Sequence, residues 1–289
     1  MDQLFERAAG LLRGGYDLHA HSAPSHIQRS VDDFGLLEQA SAADMSGILI
    51  KNHYESTAGR AALLNRMGGL KTKAYGGLVL NWPAGGINPY AAESALRMGA
   101  SFVWLPTRDA AHCLDYGNMP GDFFDRPGIR VLDQDGKPVK ALLDVMEVVK
   151  KYGAVLATGH ISPREAQTVC LAARAMGVKT VLTHPDWNRL KIPVDVQCRL
   201  AKAGVLIEKN WANVDDGDCS EQEMLLGIRQ VGPEHIFIST DRGQHGKGSP
   251  VDGMLRFIAF LLKNGFSEGE ISKMVRGNPA RLLNEPDEI

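Results

Sequence analysis

Eight short apolar or β-branched runs punctuate this chain, and each is followed, after a turn, by a segment of helical periodicity. The runs are Tyr16 to His19, Gly47 to Ile50, Ala74 to Leu80, Ser101 to Leu105, Ala154 to Ala157, Thr180 to Thr183, Val205 to Glu208 and Ile236 to Thr240. Between and after them lie helical stretches at Val31 to Asp44, Thr57 to Met67, Pro89 to Met98, Val139 to Tyr152, Pro163 to Met176, Pro193 to Ala203, Ser220 to Val231 and Gly253 to Asn264. Strand followed by helix, repeated, is the pattern of a parallel sheet joined by crossover helices. Gly99, Gly153, Gly177 and Gly204 fall just past helix ends, and the Ser162-Pro163 pair suits a helix start. A doubly wound sheet would alternate in the same way, but eight even units favour closure into an α/β (β/α)8 TIM barrel. The expectation is one barrel domain spanning 1–289.

One connection is unusually long. Between the fourth run and its helix the chain travels from Pro106 to Pro138, through Asp122, Phe123 and Phe124, the short run Ile129 to Leu132 and an Asp135-Gly136 turn that signals a small hairpin. This reads as a lid. The segment Ser267 to Leu283 reads as extra C-terminal helix packed on the outside of the barrel.

The composition removes several classes of function. Lys plus Arg (32) nearly cancels Asp plus Glu (34), so no overall field draws the chain to nucleic acid or anionic lipid. No apolar run reaches the roughly 18 residues of a membrane span. Cys113, Cys170, Cys198 and Cys219 are far apart and the N-terminal stretch is charged and amphipathic, so a reduced, cytoplasmic setting is expected. No phosphate-binding glycine loop and no G-x-S-x-G elbow follows a strand.

In such barrels chemistry resides at the carboxyl ends of the strands. The first run ends Asp17-Leu18-His19-Ala20-His21, and simple alternation puts Asp17, His19 and His21 on one face. The fifth closes on His160, the sixth on His184 and the eighth on Asp241. A lone histidine is usually a hydrogen-bonded rim or core residue. Four histidines and an aspartate at four equivalent ends instead suit Zn2+ or a similar divalent ion, with enough ligands for one five-coordinate ion or for two.

These residues, in this order along the chain, resemble the metal-dependent amidohydrolase superfamily, and Arg276 to Leu283 is similar to the helix start that often ends those chains. The resemblance spans the whole barrel. It implies that His19, His21 and Asp241 hold the buried ion, with His160 and His184 at a second ion or at the substrate. In one respect the chain departs from the family pattern: binuclear members carry a carboxylated lysine or a glutamate at the end of strand four, where this chain reads Val103 to Thr107. A single ion is therefore an open option. Lys51, closing the second run, is a candidate for a carbamate bridge, a charged substrate contact, or a lysine extending from a strand end; His53 is an accessory candidate beside it.

The expected activity is hydrolysis of an amide, cyclic amide, ester or lactone bond in a small molecule. A divalent ion would lower the pKa of water from about 15.7 toward about 7, with Asp241 as proton shuttle and His184 or His160, whichever is not on the metal, as a catalytic partner for the developing oxyanion. Cations cluster at the strand-end loops: Arg29, Lys51, Arg108, Lys209 and Arg242. Arg108, Arg242, Lys51 and His53 are the expected substrate contacts, and an anionic substrate follows if the charges act on it rather than on solvent. Asp17 is a candidate for orienting a ligand or filling a buried acceptor role. Three rivals remain: a metal-dependent decarboxylase or isomerase, a phosphoesterase barrel, weakened because Asp241 is followed by Arg242-Gly243 rather than by a second histidine, and a metal-binding barrel without turnover. A homo-oligomer is allowed, though no interface is marked in the sequence.

Overall fold

A computed structural model of the chain describes residues 3–117, 119, 122 and 125–286. Eight strands, β1 (Tyr16–Ala20), β2 (Gly47–Ile50), β3 (Lys73–Val79), β4 (Ala100–Trp104), β5 (Val155–Ala157), β6 (Lys179–Leu182), β7 (Leu206–Asn210) and β8 (Ile236–Ser239), pair in sequence order, and every pair is parallel. Just past β8 the chain closes on β1: the Asp241 N–H donates to the His19 carbonyl at 2.8 Å, and the His21 N–H to the Arg242 carbonyl at 2.8 Å. The (β/α)8 barrel is complete, and its closing seam is built from residues of the candidate site itself.

Helix α1 (Gln3–Leu12) precedes the barrel, and the first three crossovers are α2 (Asp33–Ala42), α3 (Ala58–Met67) and α4 (Pro89–Arg97). A short α5 (Ala111–Tyr116) sits inside the long fourth connection before α6 (Lys140–Lys151). The remaining helices are α7 (Pro163–Ala175), α8 (Val194–Lys202), α9 (Trp211–Asp215), α10 (Glu221–Val231), α11 (Pro250–Lys263), α12 (Glu268–Ser272) and, after one π turn at Lys273–Gly277, α13 (Asn278–Leu283). α7 starts as its sequence dictates: the Ser162 hydroxyl accepts the Glu165 N–H while the Glu165 carboxylate accepts the Ser162 N–H. α11 begins at Pro250, earlier than Gly253, because Ser249 caps it by accepting from the Asp252 N–H.

Two expectations are corrected. The C-terminal helix does not lie outside the barrel: Ala280, Leu282 and Leu283 of α13 belong to the same apolar cluster as Tyr16, Leu49, Tyr75, Phe102 and Phe237, so α13 plugs the end opposite the candidate site. The simple alternation of β1 also fails. The β1–β2 register shifts between Asp17 and Ala20, and Leu18 packs in the inner cluster with Tyr16 although His19 reaches the site. A bulge of this kind lets adjacent side chains serve one side.

In the long connection, Leu132 bridges Pro138 antiparallel and the Asp133 N–H donates to the Lys137 carbonyl, the small hairpin that Asp135-Gly136 signals. The segment is pinned by the Ala111 N–H, which donates to the Ile129 carbonyl, and by the Ile129 N–H, which donates to the Asp109 carbonyl. Phe123 and Phe124 lie outside the described residues, whereas the Asp122 carboxylate accepts from Arg108 at 3.0 Å. Among the described residues no helix is long and apolar enough to cross a membrane.

Candidate metal centre

The strand ends bring all five predicted ligands to one mouth. Ring centroids of His19 and His21 are 5.4 Å apart, those of His19 and His184 5.7 Å, and those of His160 and His184 4.9 Å. His53 completes the ring of imidazoles, 5.2 Å from His21 and 5.9 Å from His160. A cavity of about 520 Å3 opens over them, lined also by Arg29, Lys51, Arg108 and Trp187.

The backbone at these ends is unusual in ways that aim the side chains. His184 and Asp241 adopt φ of 23° and 51°, left-handed values that non-glycine residues seldom take and that concentrate at functional sites. Glycines permit the close approaches beside them. A Cβ on Gly159 would sit 2.3 Å from the Leu105 carbonyl oxygen, and one on Gly243 only 1.8 Å from that of His21.

Hydrogen bonding fixes which nitrogen of each key imidazole faces the centre. His19 Nδ1 lies 2.9 Å from Glu208 Oε1, and His21 Nδ1 lies 2.8 Å from the Lys51 carbonyl oxygen. Both partners are acceptors, so both Nδ1 atoms carry the proton and both Nε2 atoms present lone pairs. Those lone pairs meet the same carboxylate oxygen: Asp241 Oδ1 is 3.3 Å from His19 Nε2 and 3.0 Å from His21 Nε2. Burial drives the His21 pKa down to about 3, so its ring is neutral and has no second proton to place between Nε2 and Asp241.

Three acceptor atoms within 4.8 Å of one another, with no proton between them, call for a cation. The donor set, two neutral imidazoles and a carboxylate, matches a divalent ion. Lys51 is the nearest positive charge, its Nζ 2.9 Å from His19 Nε2, and burial lowers its pKa to about 8. His184 is drawn down to about 4 by burial, and its Nδ1 is buried without a hydrogen-bond partner among the described residues.

Glu208 is more than a wall residue. Besides taking the His19 Nδ1–H, it accepts the His184 backbone N–H at 3.1 Å and the Ser239 hydroxyl at 2.9 Å. One buried carboxylate thus orients two candidate ligands on different strands. The sequence offers only a glutamate at a strand end; its partners appear once the barrel closes. Trp187, 4.7 Å from the His160 ring and 5.2 Å from that of His184, likewise has no local signal beyond its place after β6.

Several predicted contacts go elsewhere. Arg242 is buried and does not line the cavity; its guanidinium pairs with Asp215 at 2.5 Å and with Asp216, itself a lining residue, at 2.9 Å. Lys209 is buried against Asp186 at 2.8 Å. Asp17 fills the buried-acceptor role, taking the N–H groups of His19 and Thr240 and the Thr240 hydroxyl. Arg29 and Arg108 do reach the cavity, and Arg29 Nε is buried without a partner among the described residues.

A model of a family of unknown function, DUF6282, matches residues 14–208, from before β1 to within β7. The chain belongs to that family. No curated protein matches it. Among solved structures, this DUF6282 member is similar to an amidohydrolase from Pseudomonas aeruginosa, at 13% identity over 98% of each chain with a TM-score of 0.65. It is similar to the probable dipeptidase PvdM from Pseudomonas aeruginosa, at 13% identity over 98% of each chain with a TM-score of 0.68. A 2,6-dihydroxybenzoate decarboxylase from Rhizobium aligns at 14% identity over 94% of this chain and 99% of that one, TM-score 0.54. At these identities the likeness is one of fold: the chain shares its barrel with solved structures described as an amidohydrolase, a probable dipeptidase and a decarboxylase, so the fold by itself does not choose a reaction.

Proposed function

We propose that this chain is a metal-dependent hydrolase that cleaves an amide, cyclic amide, ester or lactone bond in a small anionic molecule. The observation that carries the reading is the meeting of His19 Nε2, His21 Nε2 and Asp241 Oδ1 beneath a cavity walled by His53, His160 and His184. These three atoms would hold a divalent ion, zinc by the preference of an imidazole and carboxylate set, with His160 and His184 at hand for a second ion or for substrate. When bound, such an ion lowers the pKa of water and polarises a carbonyl.

The chain's own residues do the rest. Glu208 and the Lys51 carbonyl keep the first two imidazoles in the tautomer that points lone pairs inward. Asp241, ionised and at the cavity floor, takes a proton and returns it to the leaving atom. Arg29 and Arg108 are placed to hold a substrate carboxylate, and Arg29 Nε, which has no partner among the described residues, supports an anion there.

Purified protein, stripped with a chelator and reloaded with zinc, is to be assayed on amides, lactones and esters bearing a carboxylate, in 18O-labelled water. Zinc-dependent turnover with one labelled oxygen in the product, abolished in His19→Ala, is the expected result. Activity indifferent to the chelator, or release of carbon dioxide without label, would overturn the hydrolase.

A further inference from the structure

The histidines around the cavity do not all offer it the same polarity. His19 and His21 hold acceptors at Nδ1 and so turn lone pairs inward, as ligands must. The far partner of His53 is different: its Nδ1 lies 2.9 Å from Thr107 Oγ1. That hydroxyl is fully buried and already accepts from Asn81 Nδ2 at 2.7 Å. The orientation of Asn81 is settled by its other atom, since Oδ1 accepts the backbone N–H groups of Thr107 at 2.8 Å and Asp109 at 3.3 Å. The amide nitrogen therefore points at Thr107, with a second bond to the His53 carbonyl at 3.0 Å. Thr107 has a proton of its own to place, and His53 Nδ1 is the acceptor in reach among the described residues. A ring nitrogen that accepts has no proton, so the proton is on Nε2.

We propose that His53 is a catalytic hydrogen-bond donor rather than a metal ligand: its Nε2–H faces the cavity and bonds the substrate oxygen that gains negative charge. The polarity follows from the Asn81–Thr107–His53 relay alone; the identity of the oxygen, that of the carbonyl under attack, rests on the hydrolase reading above. Burial, with Lys51 and Arg108 close by, keeps the ring neutral, and a second proton would enter at Nδ1 and leave the Nε2–H in place. His53 is 7% exposed and lines the cavity between His21 and His160, so its donor sits next to the candidate ion without competing for it. A donor held in position before charge develops contributes about 10²–10³ in kcat.

The test uses the full chain labelled with 15N-histidine, with and without zinc, together with His53→Leu and His53→Gln. Long-range 1H–15N correlation should show a protonated, pyrrole-like Nε2 for His53 in both states, whereas Nε2 of His19 and His21 is pyridine-like and shifts on zinc addition. His53→Leu should keep the wild-type zinc content and lose about 10²–10³ in kcat; His53→Gln, whose amide nitrogen reaches toward the Nε2 position, should recover part of it. A pyridine-like His53 Nε2, a zinc-induced shift of it, loss of zinc from His53→Leu, or equal rates in the two variants would each overturn the assignment. Absence of hydrolysis with the expected nitrogen pattern would instead remove the hydrolase reading and leave the donor polarity standing.

Discussion

Glu208 shows how much of the site hangs on residues that touch no substrate. Its carboxylate is buried, and burial alone would raise its pKa, yet the adjacent His19 more than offsets that and keeps it ionised. Replacing it by glutamine leaves the shape but removes the charge, and the new amide can turn its N–H toward His19 Nδ1. The ring then has reason to move its proton to Nε2, the atom that must be bare to bind a cation. Glu208→Gln should therefore weaken zinc binding by about 10–100-fold with unchanged circular dichroism, measured by competition with a chromophoric chelator. Equal affinity in the two proteins would mean that Glu208 merely fills space. Arg242 carries the opposite lesson. At the level of sequence it is one of five strand-end cations, and only the fold shows its charge consumed by Asp215 and Asp216, while Arg29, Lys51 and Arg108 line the cavity.

Among the elements, the segment after β6 is held in place by a buried charge. It carries His184 and Trp187, and it is tied to the barrel wall by Lys209, which donates to both Asp186 oxygens at 2.9 and 2.8 Å and to Gln197 at 2.9 Å. Lys209→Met would strand the Asp186 carboxylate in a poorly solvated place, so a loss of about 3–5 kcal/mol is expected in urea unfolding, well above what a surface pair contributes. A loss below about 1 kcal/mol would show that water reaches Asp186 and that the tie is weak. Elements of this type were largely legible beforehand, because a strand buried on both faces reads as an apolar run and a crossover helix as a 3.6-residue period. The bulge in β1 was not, since the extra residue is defined by the register against β2. Nor was the destination of α13: its apolar residues mark a buried face, but periodicity is silent on whether that face meets the barrel's flank or closes its end. The short α9 has no signal in the sequence, because five residues give too little period to mark a helix.

Over the whole molecule, the ring of imidazoles makes stability depend on pH in a direction that can be worked out. His21, His53, His160 and His184 all have pKa values depressed by burial, to about 3 for His21 and about 4 for His184. Each is neutral when folded and takes up a proton on unfolding anywhere below its ordinary 6.5, so each costs stability as the pH falls from 6.5 toward its folded value. Asp17 acts in the other sense. Burial raises its pKa from 3.8 to about 7, so it is protonated in the fold and its contribution is lost as the pH rises through 7. Four imidazoles against one carboxyl leave a net loss on acidification. Metal-free protein should thus show a urea midpoint that declines steadily between pH 6.5 and 4. Zinc at 100 times its dissociation constant should add about 2.7 kcal/mol at pH 7. That increment should persist as the pH falls toward 4, because His21 is already neutral in the fold down to about pH 3 and has no proton to give up on binding the ion. Urea titrations at half-unit pH steps, with and without zinc, decide it: an increment that vanishes between pH 6.5 and 5 would show that the ligands carry protons there and that the fold does not hold His21 neutral.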